Sequence, residues 1–109
     1  MDEMLQILKE IGLPFAYDHF EEGQTPDPPF LCYLSPSSHN FGADGIVYLP
    51  VLSFDLELYT EEKDPQAEAQ IETVLTAHGL FFDKTETAIP SERLFEVLYS
   101  FELKGDSYA

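Results

Sequence analysis

Three histidines, one cysteine and 21 acids are the side chains with which this 109-residue chain would have to do chemistry. His19, His39 and His78 show no metal-ligand spacing, and one cysteine cannot complete a zinc site of the usual kind. "DHFEE" (Asp18 to Glu22) offers oxygen ligands but lacks the glycine-centred pattern of a calcium loop, so it reads as a solvated acidic turn. Cys32 lies in the apolar run "FLCYL", where a buried, inert thiol is expected. There is no GxSxG elbow, no catalytic-cysteine signature and no phosphate-binding glycine loop. The expectation is no enzyme, with no catalytic residue, metal or cofactor. His78 is expected at a helix end, where a cation suits the dipole. His39 falls in a polar stretch, free to bond locally or to face a partner.

The aromatics of that stretch are more informative. Phe41 and Tyr48 flank "GADGIV", with Asn40 before them and Leu49 and Pro50 after. Aromatics in an exposed segment mark a contact surface, or else fold back as a lid on the core. Both readings stand on sequence alone. As a contact element the residues are Asn40, Phe41, Tyr48, Leu49 and Pro50, with Pro50 holding the backbone bent.

Elements must position these groups, and composition says a fold is available. One domain is expected, and a chain of this size buries roughly 65% of its unfolded surface. The apolar share of 44% is that of a globular chain. Five Lys and Arg against 21 Asp and Glu give a net charge of -16. That field repels phosphates and anionic lipid, so neither sequence-specific nucleic acid binding nor a membrane role is expected. The start "MDEMLQILKEIGL" lacks the basic opening and continuous apolar stretch of a signal peptide, and no run approaches membrane-spanning length. A soluble intracellular protein is the default.

Met4, Leu5, Ile7, Leu8 and Ile11 recur at helical spacing before Gly12, predicting a helix over 2–11. Strands are expected near 15–20, 30–35 and 46–60, with Pro50 marking a bulge or an edge. Residues 35–45 read as the longest loop. In "FDLELYT" Phe54, Leu56 and Leu58 alternate with Asp55, Glu57 and Tyr59, the pattern of a half-buried antiparallel strand. Asp64 then precedes Pro65, a helix N-cap followed by a residue suited to the first helical position, and the helix runs over 65–78 to Gly79. Glu68 in its early turns favours the dipole. Strands over 80–88 and 92–103 form a hairpin, and 104–109 is a tail. The order predicts an α+β fold: a mostly antiparallel sheet of about five strands with two helices packed on one face.

"IGLPFAYDHF", "PPFLCYL", "NFGADGIVY", "FDLELYTEEKDPQAEAQIETVL" and "GLFFDKTETAIPSERLFEVLYSFEL" together resemble a family of small proteins from phages and prophages of Gram-positive bacteria, found among the head-to-tail joining genes of long-tailed phages. The closest functional class is the tail terminator, or tail-completion protein. The resemblance implies a small α+β domain without catalytic residues. It further implies a homo-oligomer, a hexameric ring that caps the tail tube and meets tail-tube and head-closure proteins. The protein would sit in the virion, and in the bacterial host cytoplasm during assembly. An acidic lumen would then let DNA pass without sticking. The competing reading of the charge is an acidic DNA-mimic inhibitor of a host nucleic-acid enzyme.

Overall fold

The computed structural model describes the backbone of residues 3–43 and 46–104, with side chains at all of these except 36–51 and 104. The elements are α1 (Glu3–Ile11), β1 (Phe15–Tyr17), β2 (Phe30–Ala43), β3 (Ile46–Thr60), α2 (Pro65–Ala77), β4 (Asp83–Ile89), a 3-10 turn (Pro90–Glu92) and β5 (Leu94–Lys104). The strands form one sheet in the order β1-β2-β3-β5-β4. Only β1 and β2 run parallel; every other pair is antiparallel. The fold is therefore α+β, a five-stranded, mostly antiparallel sheet with two helices that contact each other.

Strand alternation sets the two faces. Leu58 pairs with both Leu31 and Val97, and Leu56 with Tyr33 and Tyr99, so these side chains share one face. Against it lie Met4, Ile7, Leu8 and Ile11 of α1 and Ala67, Ile71 and Leu75 of α2, in one buried cluster. The helix-free face takes the other half of each strand: Phe30, Cys32, Asp55, Glu57, Tyr59, Glu96, Leu98 and Ser100.

The ends of α2 follow from local chemistry. The Asp64 carboxylate accepts the Ala67 N–H at 3.1 Å, and Pro65 opens the helix where its missing N–H costs nothing. At the other end Gly79 takes φ +73, its N–H reaches Thr76 O, and the Leu80 N–H reaches Leu75 O. Those two bonds make a Schellman motif. They hold Leu80 to the helix, which is why β4 begins at Asp83 and not at Leu80. His78 is the C-cap, not a helical residue.

Two other boundaries move. β1 stops at Tyr17 because Asp18 turns into the left-handed region, φ 67, with its N–H bonded to Tyr33 O. The expected loop over 35–45 is instead largely strand: β2 continues to Ala43, paired with β3. Small polar residues suffice there because a two-stranded ladder is held by backbone bonds. Pro36 falls at a bulge, where two residues, Ser35 and Pro36, stand opposite Phe54. That is a position where a missing N–H is tolerated.

Candidate functional site

β2 and β3 outrun the rest of the sheet. The register of β3 with β5 ends at Val51↔Lys104, whereas with β2 it continues to Ile46↔Ala43. Among the described residues, β3 from Pro50 outward therefore has β2 alone beside it, as a two-stranded arm. On β2 the arm is residues 40–43, which span on the order of 10 Å at the usual strand rise. The contact residues expected from sequence all map to this arm. Asn40 pairs with Pro50, and Phe41 with Leu49. Tyr48 is the extra residue between Phe41↔Leu49 and Gly42↔Val47, a second bulge. Pro50 is tolerated inside the strand because, among the described residues, β5 has none beside it to receive an N–H. The side chains of these five residues and of His39 lie outside those described. Residues 105–109 of the expected tail also lie outside the described residues.

The other candidates are more closely held. Cys32 is 5% exposed. Burial, and then the charges of Glu57 and Asp18, push its thiol up to about 11, so it is protonated at neutral pH and a poor nucleophile. His19 stands exposed beside Asp18 at 3.2 Å. Among the described residues no group of three His, Cys, Asp or Glu is arranged to hold a metal.

His78 does more than complement a dipole. Its Nδ1 is 2.9 Å from Glu3 Oε2 and its Nε2 is 2.9 Å from Glu10 Oε1, both on α1. Burial of the ring opposes its charging, but the hydrogen bonds it donates to Glu10 and Glu3 outweigh this and raise its pKa. Glu68 also departs from expectation. It is 4% exposed and takes Lys84 at 2.7 Å on Oε1 and Lys63 at 2.9 Å on Oε2. Oε2 has that ion pair but no aligned hydrogen bond. Lys84 continues to Glu72 at 2.6 Å, which also accepts the hydroxyl of buried Tyr99 at 2.8 Å, while Lys63 reaches Glu86 at 2.8 Å. Two of the five cations are thus committed to tying α2 to β4.

The helix-free face holds a group that sequence reading missed. The Tyr59 hydroxyl lies 3.0 Å from Glu57 Oε1 and 3.2 Å from Glu96 Oε2. It has one proton to donate and two carboxylates to receive it. Burial first, then the charges of Glu96, Asp55 and Asp18, raise the pKa of Glu57 against the one lowering contribution, the Tyr59 bond. Beside them Phe20 packs edge-on to Phe30, which stacks on Tyr59, and Ser100 donates to Asp55 at 2.8 Å. Glu57 and Tyr59 were visible as an i, i+2 pair; Glu96, 37 residues from Tyr59, needed the β3–β5 register. Elsewhere, Phe81 before β4 is 97% exposed.

Comparison with protein-family models finds no match for this chain, and comparison with curated proteins finds none either.

Proposed function

We propose that this chain is a structural protein of the phage head–tail joint, of the tail-terminator type, which assembles as a ring on the tail tube and docks to the head. The observation that carries the reading is the β2–β3 arm: Asn40, Phe41, Leu49 and Pro50 lie on its paired positions and Tyr48 at its bulge, past the last described β3–β5 pair, Val51↔Lys104. A ring closes when one patch of a subunit meets a different patch of the next, and a projecting arm is suited to that heterologous contact. Residues 35–53 contain a single acid, Asp44, so the arm can approach another subunit without the repulsion that 20 further acids impose elsewhere. The role asks for no catalytic residue and no cofactor.

Native mass measured over protein concentration and salt tests the reading, together with binding to a tail-tube protein. A discrete ring that strengthens with salt is expected, because screening weakens repulsion between subunits of charge -16. Replacing Tyr48 and Leu49 by serine should lower assembly without lowering the melting temperature. A monomer at every condition that also ignores the tube protein would overturn the proposal. The helix-free face gives one observation to the second reading, a DNA mimic: Asp55, Glu57 and Glu96 share it. Salt-sensitive binding to a basic nuclease or polymerase, with none to the tube, would select that reading.

A further inference from the structure

We infer that the helix-free face of the β2–β3–β5 sheet, centred on Glu57, Tyr59 and Glu96, docks a basic protein surface that presents an arginine or lysine to the two carboxylates beside Tyr59. The inference does not depend on the joint role and holds under either reading above.

Among the described side chains, the face carries no cation. Every charged side chain described on it is acidic: Asp55, Glu57 and Glu96 at its centre, Glu102 further along β5, and Asp18 near enough to act on Glu57. Lys63 and Lys84 are held away at α2 by Glu68, Glu72 and Glu86. Lys9 lies on α1 and Arg93 follows the 3-10 turn. Lys104 follows Glu102 in the same alternation but at the far end of β5, opposite Val51, and its side chain lies outside those described.

The acids are also placed where they cost the fold something. Two carboxylates flank one hydroxyl, so one of the two short contacts has no proton of its own. Burial adds to this, since a half-buried carboxylate without a donor has lost water and gained nothing. A guanidinium or ammonium supplies the missing donors, and a guanidinium can bond both carboxylates in its own plane. Partial shielding by Leu98, Cys32 and the Phe30–Tyr59 stack would strengthen that pair over one in open water.

Charge selects the occupant. Nucleic acid and anionic lipid would be repelled. A second copy would have to offer Lys9, Arg93 or Lys104, single cations on a body of net charge -16. A partner with clustered Lys or Arg is the complement that remains, and opposite fields also speed its encounter.

The test titrates a short arginine–glycine peptide into the protein and follows backbone amide chemical shifts. Shift changes should centre on residues 55–59 and 96–100. Affinity should fall about tenfold or more in Glu57→Gln/Glu96→Gln. Glu61→Gln/Glu62→Gln removes the same charge from exposed residues elsewhere and should change affinity less than about twofold. The first variant relieves repulsion, so its melting temperature should hold or rise, which separates lost binding from lost folding. Shifts spread evenly over all acidic regions, or equal losses in the two variants, would overturn the inference and leave only a diffuse negative field.

Discussion

His78 and Glu10 stand 2.9 Å apart, Nε2 to Oε1, across the junction where α2 ends against α1. With Glu3 on the other ring nitrogen, both nitrogens face carboxylates, which only the imidazolium can satisfy as a double donor. The raised His78 pKa means the folded chain holds that proton more tightly than the unfolded one. Its contribution to stability is therefore fully present below the unfolded value near 6.5 and is lost as pH rises through the folded value. Glu10 is shifted the other way, first by its bond to His78 and then by Gln6, so its contribution disappears as pH falls below 4.5 toward its folded value. Urea unfolding from pH 4 to 9 should show a stability maximum between these limits. In His78→Asn the fall on the alkaline side should flatten; an unchanged alkaline slope would remove the clamp from the account.

Lys84 ties Glu68 and Glu72 to β4, and its loss leaves a 4%-exposed carboxylate with Lys63 alone. Breaking a fully buried pair from one side costs roughly 3–5 kcal/mol. Lys84 keeps 30% of its side chain in water, so Lys84→Met should cost about 2 kcal/mol in chemical denaturation. The double variant Lys84→Met/Glu68→Met should recover part of that loss, because the uncompensated charge goes with it.

On the opposite face the sign reverses. Glu57 has a raised pKa, caused first by burial, so folding takes up a proton there and stability falls as pH rises above the unfolded value near 4.5. Glu57→Gln should therefore be at least as stable as the parent at pH 7, with a shallower loss between pH 4.5 and 7. A clear drop in its unfolding midpoint at pH 7 would show that the Tyr59 bond outweighs the burial cost.

At the junction of β3 and α2, Asp64→Ala removes the acceptor for the Ala67 N–H. The expected loss is about 1 kcal/mol, read from urea unfolding, while Asp64→Ser or Asp64→Asn should keep most of the cap. A loss as large in Asp64→Asn as in Asp64→Ala would mean that the charge, and not the cap bond, matters.

Local sequence determined a large part of this protein. Asp64-Pro65 and Gly79 punctuate α2 because capping and left-handed backbone are properties of single residues, legible without partners. The alternation of Phe54, Leu56 and Leu58 likewise named the buried face, since a strand turns its side chains by a period of two. Two kinds of feature came only from the tertiary structure. The continuation of β2 over 35–43 looked like a loop because ladder bonding between backbones leaves almost no trace in small polar side chains. The groups around Tyr59, Glu68 and His78 join residues 37, 16 and 68 or more positions apart, from Tyr59 to Glu96, Glu68 to Lys84 and His78 to Glu10. Register and helix packing alone decide which of many acids meet a tyrosine, a lysine or a histidine. In a chain with 21 acids, charge says that such meetings must occur, and only the fold says where.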